Sequence, residues 1–473
     1  MNRKTMKLFY FFFLVSAFLQ PCLAYSSSDS FAEEFYQESG KRILTQETMQ
    51  CSYPYPFQPD PLVCCISKTW KGFRVNEGTT PTSFPSVAAL ANGGFTVVWN
   101  NEGKAQGQTY DSRGLATGAE FQFPTETSAN VYCNDANTYG NIGLTGLKNG
   151  GFVVTCIARY TLSVSPWASL NITGQVYDDI GVSRGAAFVG DGIGIDHPSD
   201  MSGANVAPLT NGGFVVAWGQ YQVGYPDCYP DYCLNTYGQT YDHIGAPTST
   251  AFQTGRIKVS GQSGKLYSTV ASLSKGGFVS IWKVSFPQYP YPTPCGEGYG
   301  YCFRGQTFSD TGSPTGAAFY SNLGYGSDSG PISASLSNGG FVLASKNRVQ
   351  IYNDIGVPLG AAFTVGPNYA TTALAGLDGL FLVSWLYGAN SGTAIYGQLY
   401  NNTGGPVGDA FPVADPNSVV FGIGVNSVWS LAGLNNERFV TVWDSPSNPD
   451  CTLRGNIYAK VFKTRLREVG TSL

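Results

Sequence analysis

Residues Leu209 to Trp218 read Leu-Thr-Asn-Gly-Gly-Phe-Val-Val-Ala-Trp, and after a gap Gly238 to Phe252 read Gly-Gln-Thr-Tyr-Asp-His-Ile-Gly-Ala-Pro-Thr-Ser-Thr-Ala-Phe. The same phrase begins at Leu90, Leu147, Leu273, Leu336, Leu377 and Leu434, so one unit recurs seven times. Each copy parses into four strands, illustrated by Ser86 to Leu90, Phe95 to Trp99, Gly107 to Tyr110 and a short strand around Phe121. Asn-Gly-Gly between the first two is a tight hairpin signal, because asparagine and glycine tolerate positive φ. Asp-x-x-Gly-x-Pro between the last two is also turn chemistry. Four short antiparallel strands per repeat make a propeller blade. The chain is therefore expected to be all-β, a seven-bladed β-propeller with four-stranded antiparallel blades.

The spacings separate rigid parts from variable ones. Gly107 to Phe121, Gly174 to Phe188, Gly238 to Phe252, Gly305 to Phe319 and Gly397 to Phe411 each span 14 positions, so the third and fourth strands form a fixed hairpin. The gap between second and third strands instead varies widely, as does the link between blades. In a four-stranded meander these two variable connections emerge on one face of the disc and the fixed turns on the other. The seventh unit reaches Gly455 to Val461 without a closing Gly-x-x-Phe segment. Trp70 to Asn76 resembles the missing phrase, which predicts that an N-terminal strand completes the last blade with Phe73 beside Tyr458. Such a join removes the open sheet edges of the alternative, an open solenoid.

The phrase resembles the Asn-Gly-Gly-Phe-Val-Val-x-Trp … Tyr-Gly-Gln-x-Tyr-Asp-x-x-Gly-x-x-x-Gly-x-x-Phe repeats of large bacterial exported proteins, including RTX-type adhesins. The resemblance covers roughly residues 70 to 463 and implies architecture, not an activity. The chain departs from those proteins in being short, cysteine-rich and equipped with an N-terminal signal. A looser resemblance is to the integrin α propeller, whose calcium loops need several acidic residues in a short turn. The hairpins here, Asn92-Gly93-Gly94, Asn149-Gly150-Gly151, Lys275-Gly276-Gly277 and Asn338-Gly339-Gly340, carry too little charge for that. Asp111, Asp178, Asp242 and Asp354 read instead as turn formers bonding their own backbone.

Composition agrees with a turn-rich β protein: charged residues are 12% of the chain, about half the globular average, and the net charge is −4. No basic patch stands out, which argues against nucleic acid as a partner. Arg3, Lys4 and Lys7, an apolar run from Leu8 to Leu19 and a small-residue site at Ala24 read as a signal peptide over 1–24, leaving no transmembrane segment. The remainder divides into an N-terminal tether or short helix over 25–61, the propeller over 62–465 and a C-terminal tail over 466–473. Loss of Cys22 with the signal leaves ten of the 11 cysteines, an even count that reads as disulfides in an exported chain. With only two histidines, His197 and His243, no metal site and no cofactor are expected.

Two inserts stand out in the variable gap of adjacent blades. Gln220 to Leu234 carries Cys228 and Cys233, and Val284 to Phe303 carries Cys295 and Cys302; each pair is placed to close a local loop. Cys133 with Cys156 is a further candidate pair; Cys51, Cys64, Cys65 and Cys451 allow three pairings, among which a bond from Cys64 or Cys65 to Cys451 would lock the closing blade. The inserts also carry Tyr225, Tyr229, Tyr232, Tyr289, Tyr291, Tyr299 and Tyr301, rings suited to recognising protein or sugar, or to stiffening the loops by stacking on prolines. Trp99, Trp218, Trp282, Trp385 and Trp443 end the second strand of five units, a recurrence that points to packing between blades instead of a ligand cage. Asn171-Ile172-Thr173 and Asn401-Asn402-Thr403 are glycosylation sequons, meaningful in a eukaryotic host.

These features favour a secreted or cell-surface, non-enzymatic binding or adhesion protein that presents its loop-rich face to an extracellular protein or glycan. Two alternatives remain. One is a secreted carbohydrate hydrolase or lyase, for which Asp196, Asp200, Asp227, Asp231 and Glu297 are the acidic residues on the elaborated side but form no evident pair. The other is a structural component of an envelope or coat. Carboxylates converging on the central channel would favour the enzyme.

Overall fold

The computed structural model describes residues 46–47, 62–70, 72–77, 82–101, 103–123, 131–132, 142–160, 169–190, 201–222, 232–259, 267–285, 301–321, 323, 330–366, 372–387, 394–414, 429–435, 437–446 and 454–468. Every element among them is a strand. Blade 1 runs Thr82–Ala89, Phe95–Asn101, Lys104–Tyr110 and Phe121–Phe123, hydrogen-bonded in that order. Blades 3 to 6 repeat this four-stranded meander, and blade 2 does so with a short extra strand, Val131–Tyr132. The first strands of the seven blades touch in sequence around a ring, and that of blade 7, Trp429–Leu434, returns to that of blade 1. The molecule is a closed seven-bladed propeller.

The second strand of each blade shows why Phe-Val-Val-x-Trp is a continuous apolar run. Its two faces meet the neighbouring blades, so Phe95 to Trp99 are buried without alternation. The tryptophans at its end pack toward the preceding blade, as their recurrence predicts. Trp218 sits with Ile172 and Phe188 of blade 2, Trp443 with Val413 and Ala414 of blade 6, and Trp99 with Phe73 and Val75.

A second repeated cluster holds adjacent blades together. The phenylalanine opening the second strand stacks on the aromatic residue ending the third, and the closing phenylalanine of the preceding blade tilts onto them. Phe152 and Tyr177 stack at 5.1 Å with Phe121 at 4.7 Å from Tyr177; Phe214 and Tyr241 stack at 5.1 Å with Phe188 at 4.5 Å from Tyr241. The same triad recurs at Phe278, Phe308 and Phe252, at Phe341, Tyr352 and Phe319, at Phe381, Tyr400 and Phe363, and at Phe439, Phe462 and Phe411. Between blades 7 and 1 the triad is Phe95, Tyr110 and Phe73. Phe73 therefore takes the place of the missing closing phenylalanine.

The backbone agrees. Phe73 and Arg74 pair with Ala459 and Tyr458, as the sequence predicts, and the join continues through Val75 N–H to Ile457 O at 2.7 Å and Ile457 N–H to Asn76 Oδ1 at 2.8 Å. The third strand of blade 7, Arg454–Glu468, is longer than the motif implies and runs into the segment read as a C-terminal tail. Its far half pairs with Leu62–Trp70, which in turn pairs with Gln46–Glu47 inside the segment read as a tether.

The recurring Gly-Gln-x-Tyr-Asp phrase is structural throughout. The glycine lets the closing phenylalanine lie across the third strand: a Cβ on Gly107 would stand 2.2 Å from the Phe121 ring. In blades 2, 5 and 6 the register between third and fourth strands shifts at the glutamine, and its side chain turns back to fill the gap. Gln175 Nε2 donates to the carbonyls of Val176, Arg184 and Gly185 at 3.0 to 3.3 Å. Asp111, Asp178 and Asp242 each accept two downstream backbone N–H groups, as in Ile180 N–H at 3.0 Å and Val182 N–H at 2.8 Å to Asp178. Asp354 does not: in blade 5 Asn353 forms the turn, and Asp354, one position further on, pairs with Lys275 of blade 4 at 3.2 Å. That next position reaches the preceding blade elsewhere too. Asp310 accepts from Thr210, Asn402 donates to Ser337, and Ser112 accepts from Arg438 across the closure.

Candidate functional site

The two fixed turns of each blade share one face, so the second-to-third connections and the links between blades share the other. The inserts rise there from adjacent blades. The second strand of blade 3 ends at Gln222 and the third starts at Tyr232; in blade 4 the corresponding ends are Ser285 and Tyr301. Tyr232 lies in register with Val259, and Tyr301 with Ser285, at the roots of the two inserts. Tyr225, Tyr229, Tyr289, Tyr291 and Tyr299 fall outside the described residues, as do Asp196, Asp200, Asp227, Asp231 and Glu297.

Of the cysteines, Cys156 and Cys302 are buried and disulfide-bonded. Cys156 closes onto Thr173 in its sheet, and Cys302 onto Val284 at the foot of the blade 4 insert. Cys233 stands opposite Gln222 at the foot of the blade 3 insert. Cys64 and Cys65 oppose Leu466 and Arg465. Cys51, Cys133, Cys228, Cys295 and Cys451 lie outside the described residues. The Asn401 sequon coincides with a turn, where Asn401 Oδ1 accepts the N–H groups of Thr403 and Gly405 at 3.0 and 2.8 Å.

The channel wall has its own chemistry. The seven first strands, from Thr82–Ala89 to Trp429–Leu434, contain no ionisable side chain. They are rich in Gly, Ala, Ser and Thr because the strands converge: a Cβ on Gly146 would stand 1.8 Å from Ala89 O, and one on Gly433 1.9 Å from Gly376 O. Side-chain hydrogen bonds link neighbours, with the Thr269 and Ser333 hydroxyls at 2.9 Å and Asn205 Nδ2 donating to the Ser268 carbonyl at 3.0 Å. Among the described residues no group of three or more His, Cys, Asp and Glu side chains is placed to hold a metal.

A cleft of about 250 Å³ opens between blades 3 and 4, walled by Gln253, Thr254 and Arg256 of one and Trp282, Arg304 and Gln306 of the other. It stands at the roots of both inserts: Arg304 follows Cys302 by two positions, and Arg256 is in register with Asn235, just past Tyr232. The residue preceding Gly-Gln is tyrosine in blades 3 and 6, and Tyr458 holds that place in blade 7. Tyr237 and Tyr458 stack on Trp218 and Trp443 at 6.0 and 6.1 Å. In blade 4 the place belongs to Arg304, in register with Trp282. Blade 5 also has an arginine there, Arg348, but opposite Ser345. Sequence reasoning passed over Arg256 and Arg304 and read Trp282 as packing between blades; the available signal was the departure of Arg304 from its own repeat.

No protein-family profile matches the chain, and no curated protein does. Solved structures similar to it include a protein of unknown function from Dyadobacter fermentans, at 12% identity over 86% of this chain and 99% of that one, TM-score 0.44. Another is an α-L-arabinofuranosidase from Fusarium graminearum in complex with an iminosugar inhibitor, at 12% identity over 70% of this chain and 98% of that one, TM-score 0.41. A third is the Dos1 propeller, at 11% identity over 83% and 94%, TM-score 0.35. Likenesses this distant carry no inference about chemistry.

Proposed function

We propose that this propeller is an exported, non-enzymatic binding module that presents the face bearing its two inserts to an extracellular protein or glycan. The observation that carries the reading is the convergence of elaboration on one sector. The inserts of blades 3 and 4 are rooted side by side, next to a polar cleft, on a ring whose other repeated residues are spent on packing and turns. Two-carboxylate hydrolysis needs a pair roughly 5 to 9.5 Å apart, and the first strands lining the channel supply no carboxylate. Export is supported by the charged and apolar opening of the chain and by disulfides at Cys156 and Cys302, bonds that persist in oxidising compartments. The resemblance of the repeats to exported adhesins agrees.

The test is a glycan array and a surface-protein pull-down, comparing the mature protein with a variant in which residues 223–231 and 286–300 are replaced by short turns. Loss of the bound partner in the variant supports the reading. Equal binding by the two proteins refutes it.

A further inference from the structure

We propose that Asn149 is a site of spontaneous deamidation, set apart by the fold from three other Asn-Gly hairpins of the ring. Asn92, Asn149, Asn211 and Asn338 each precede Gly-Gly, so the four share the sequence feature that favours the reaction. A following glycine has no Cβ to hinder attack of its backbone nitrogen on the asparagine carboxamide. All four asparagines are exposed, and in all four the attacking nitrogen is tied alike, to the carbonyl of Leu90, Leu147, Leu209 or Leu336 at 3.0 to 3.2 Å. What differs is the carboxamide.

In three hairpins it is held. Asn92 Oδ1 accepts the Gly94 N–H at 2.8 Å, Asn211 Oδ1 that of Gly213 at 2.9 Å and Asn338 Oδ1 that of Gly340 at 3.1 Å. In blade 2 the Gly151 N–H goes instead to Asp179 Oδ1 at 2.6 Å. Gly151 adopts φ +82°, whereas Gly94, Gly213 and Gly340 stay outside the positive region. Blade 4 has the same arrangement, with Gly277 at φ +82° and its N–H on Asp310 Oδ1 at 2.7 Å, because Lys275 has no side-chain oxygen to offer. Blade 5 also carries an aspartate in that place, Asp354, but Lys275 engages it and Asn338 keeps its own cap. Asp179 thus displaces Asn149. Among the described residues the Asn149 carboxamide has no hydrogen-bond partner, and its nitrogen lies over the next blade, in the space that a Cβ on Gly212 would take. Gly150 is also partly exposed, where Gly93, Gly212 and Gly339 are buried.

A carboxamide released from its cap is free to turn its carbon toward the neighbouring nitrogen. The Gly150 nitrogen gives up its proton to solvent base and bonds to Asn149 Cγ; the Cγ–Nδ2 bond breaks, ammonia leaves, and a succinimide closes. Water then opens the ring at Cγ, leaving aspartate at position 149, or at the main-chain carbonyl, leaving isoaspartate. Either product brings a carboxylate to the joint of blades 2 and 3, close to Asp179, whose Oδ2 stands 3.2 Å from the Cβ position of Gly150. Isoaspartate also lengthens the turn by one backbone carbon. The site lies on the fixed-turn face, so it is independent of what the inserts bind.

The experiment is peptide mapping by mass spectrometry of the mature protein held folded at mildly alkaline pH, with the rate at each Asn-Gly site read from the mass shift of amide to acid. Position 149 is expected to convert ~10-fold faster than positions 92, 211 and 338, the scale set by one hydrogen bond that must break before attack. In the unfolded, reduced chain the four rates should draw together, since the local sequences are alike. Asp179→Ala returns the Gly151 N–H to Asn149, and the folded rate at position 149 should fall toward that at position 211; an unchanged melting temperature shows that this variant folds. The comparison of the four sites is made on the wild-type protein and needs no variant. A folded rate at position 149 no greater than at each of the other three, or the same preference in the unfolded chain, overturns the proposal. An undiminished rate in folded Asp179→Ala overturns it as well, because the displaced cap is then not the cause.

Discussion

Substitution of Phe73 by alanine tests whether the ring is closed by the N-terminal strand. Phe73 is 8% exposed, 5.3 Å from the Tyr110 ring, and packs with Trp99 and Ile457. Truncating a buried phenylalanine removes its transfer free energy and leaves a cavity, about 3–5 kcal/mol together. The lost ring pair accounts for about 0.5–1.5 kcal/mol of such a sum. Phe188 is an internal standard: it is also 8% exposed and fills the same place between blades 2 and 3, 4.5 Å from Tyr241. In denaturant titrations of the oxidised protein followed by tryptophan fluorescence, Phe73→Ala and Phe188→Ala should lower stability by similar amounts, each about 3–5 kcal/mol. If Phe188→Ala costs that much and Phe73→Ala stays within about 0.5 kcal/mol of wild type, the scale of a surface change, the closing strand contributes nothing and the argument for closure fails.

Three further outcomes follow from the repeated contacts. Gln175→Leu leaves buried carbonyls of the third-to-fourth hairpin without their donor and should cost about 1–3 kcal/mol, with hydrogen exchange rising in blade 2 before the other blades; uniform exchange would refute the local role. Burial alone would raise the pKa of Asp111, but hydrogen bonds from the Leu115 and Arg113 N–H groups and the Arg113 guanidinium hold it below the ordinary carboxylate value. A depressed carboxylate stabilises above its unfolded pKa and loses that contribution as pH falls through the folded one. Protection of the Leu115 amide, corrected for intrinsic exchange, should therefore drop on acidification below about pH 4, while Val357, capped by the non-titrating Asn353, keeps its protection. Burial pushes the Tyr352 and Tyr400 hydroxyls up to about 12. Raised groups stabilise fully below the unfolded value near 10 and lose that contribution as pH rises through the folded one, so stability should decline between about pH 10 and 12; phenolate absorbance complete by pH 10 in the folded protein would contradict this.

The sequence by itself determined the blade count, the meander within each blade, the fixed and variable turns and the place of the closing strand. Those features rest on local chemistry repeated seven times, such as the Asn-Gly-Gly hairpin and the turn built by Asp111, Asp178 and Asp242. Asp354 was misread because one shift in a turn decides whether a side chain caps its own backbone or, as here, reaches Lys275 of another blade. The tyrosine-bearing inserts were legible as exceptions to the repeat, and their roots stand side by side because blades 3 and 4 are neighbours in both sequence and space. The cleft was decided only by tertiary structure. Arg256 and Arg304 lie 48 positions apart and face one cavity because the fourth strand of one blade packs against the third of the next. Such a contact depends on how twisted sheets stack around a ring, which no pattern along one strand encodes.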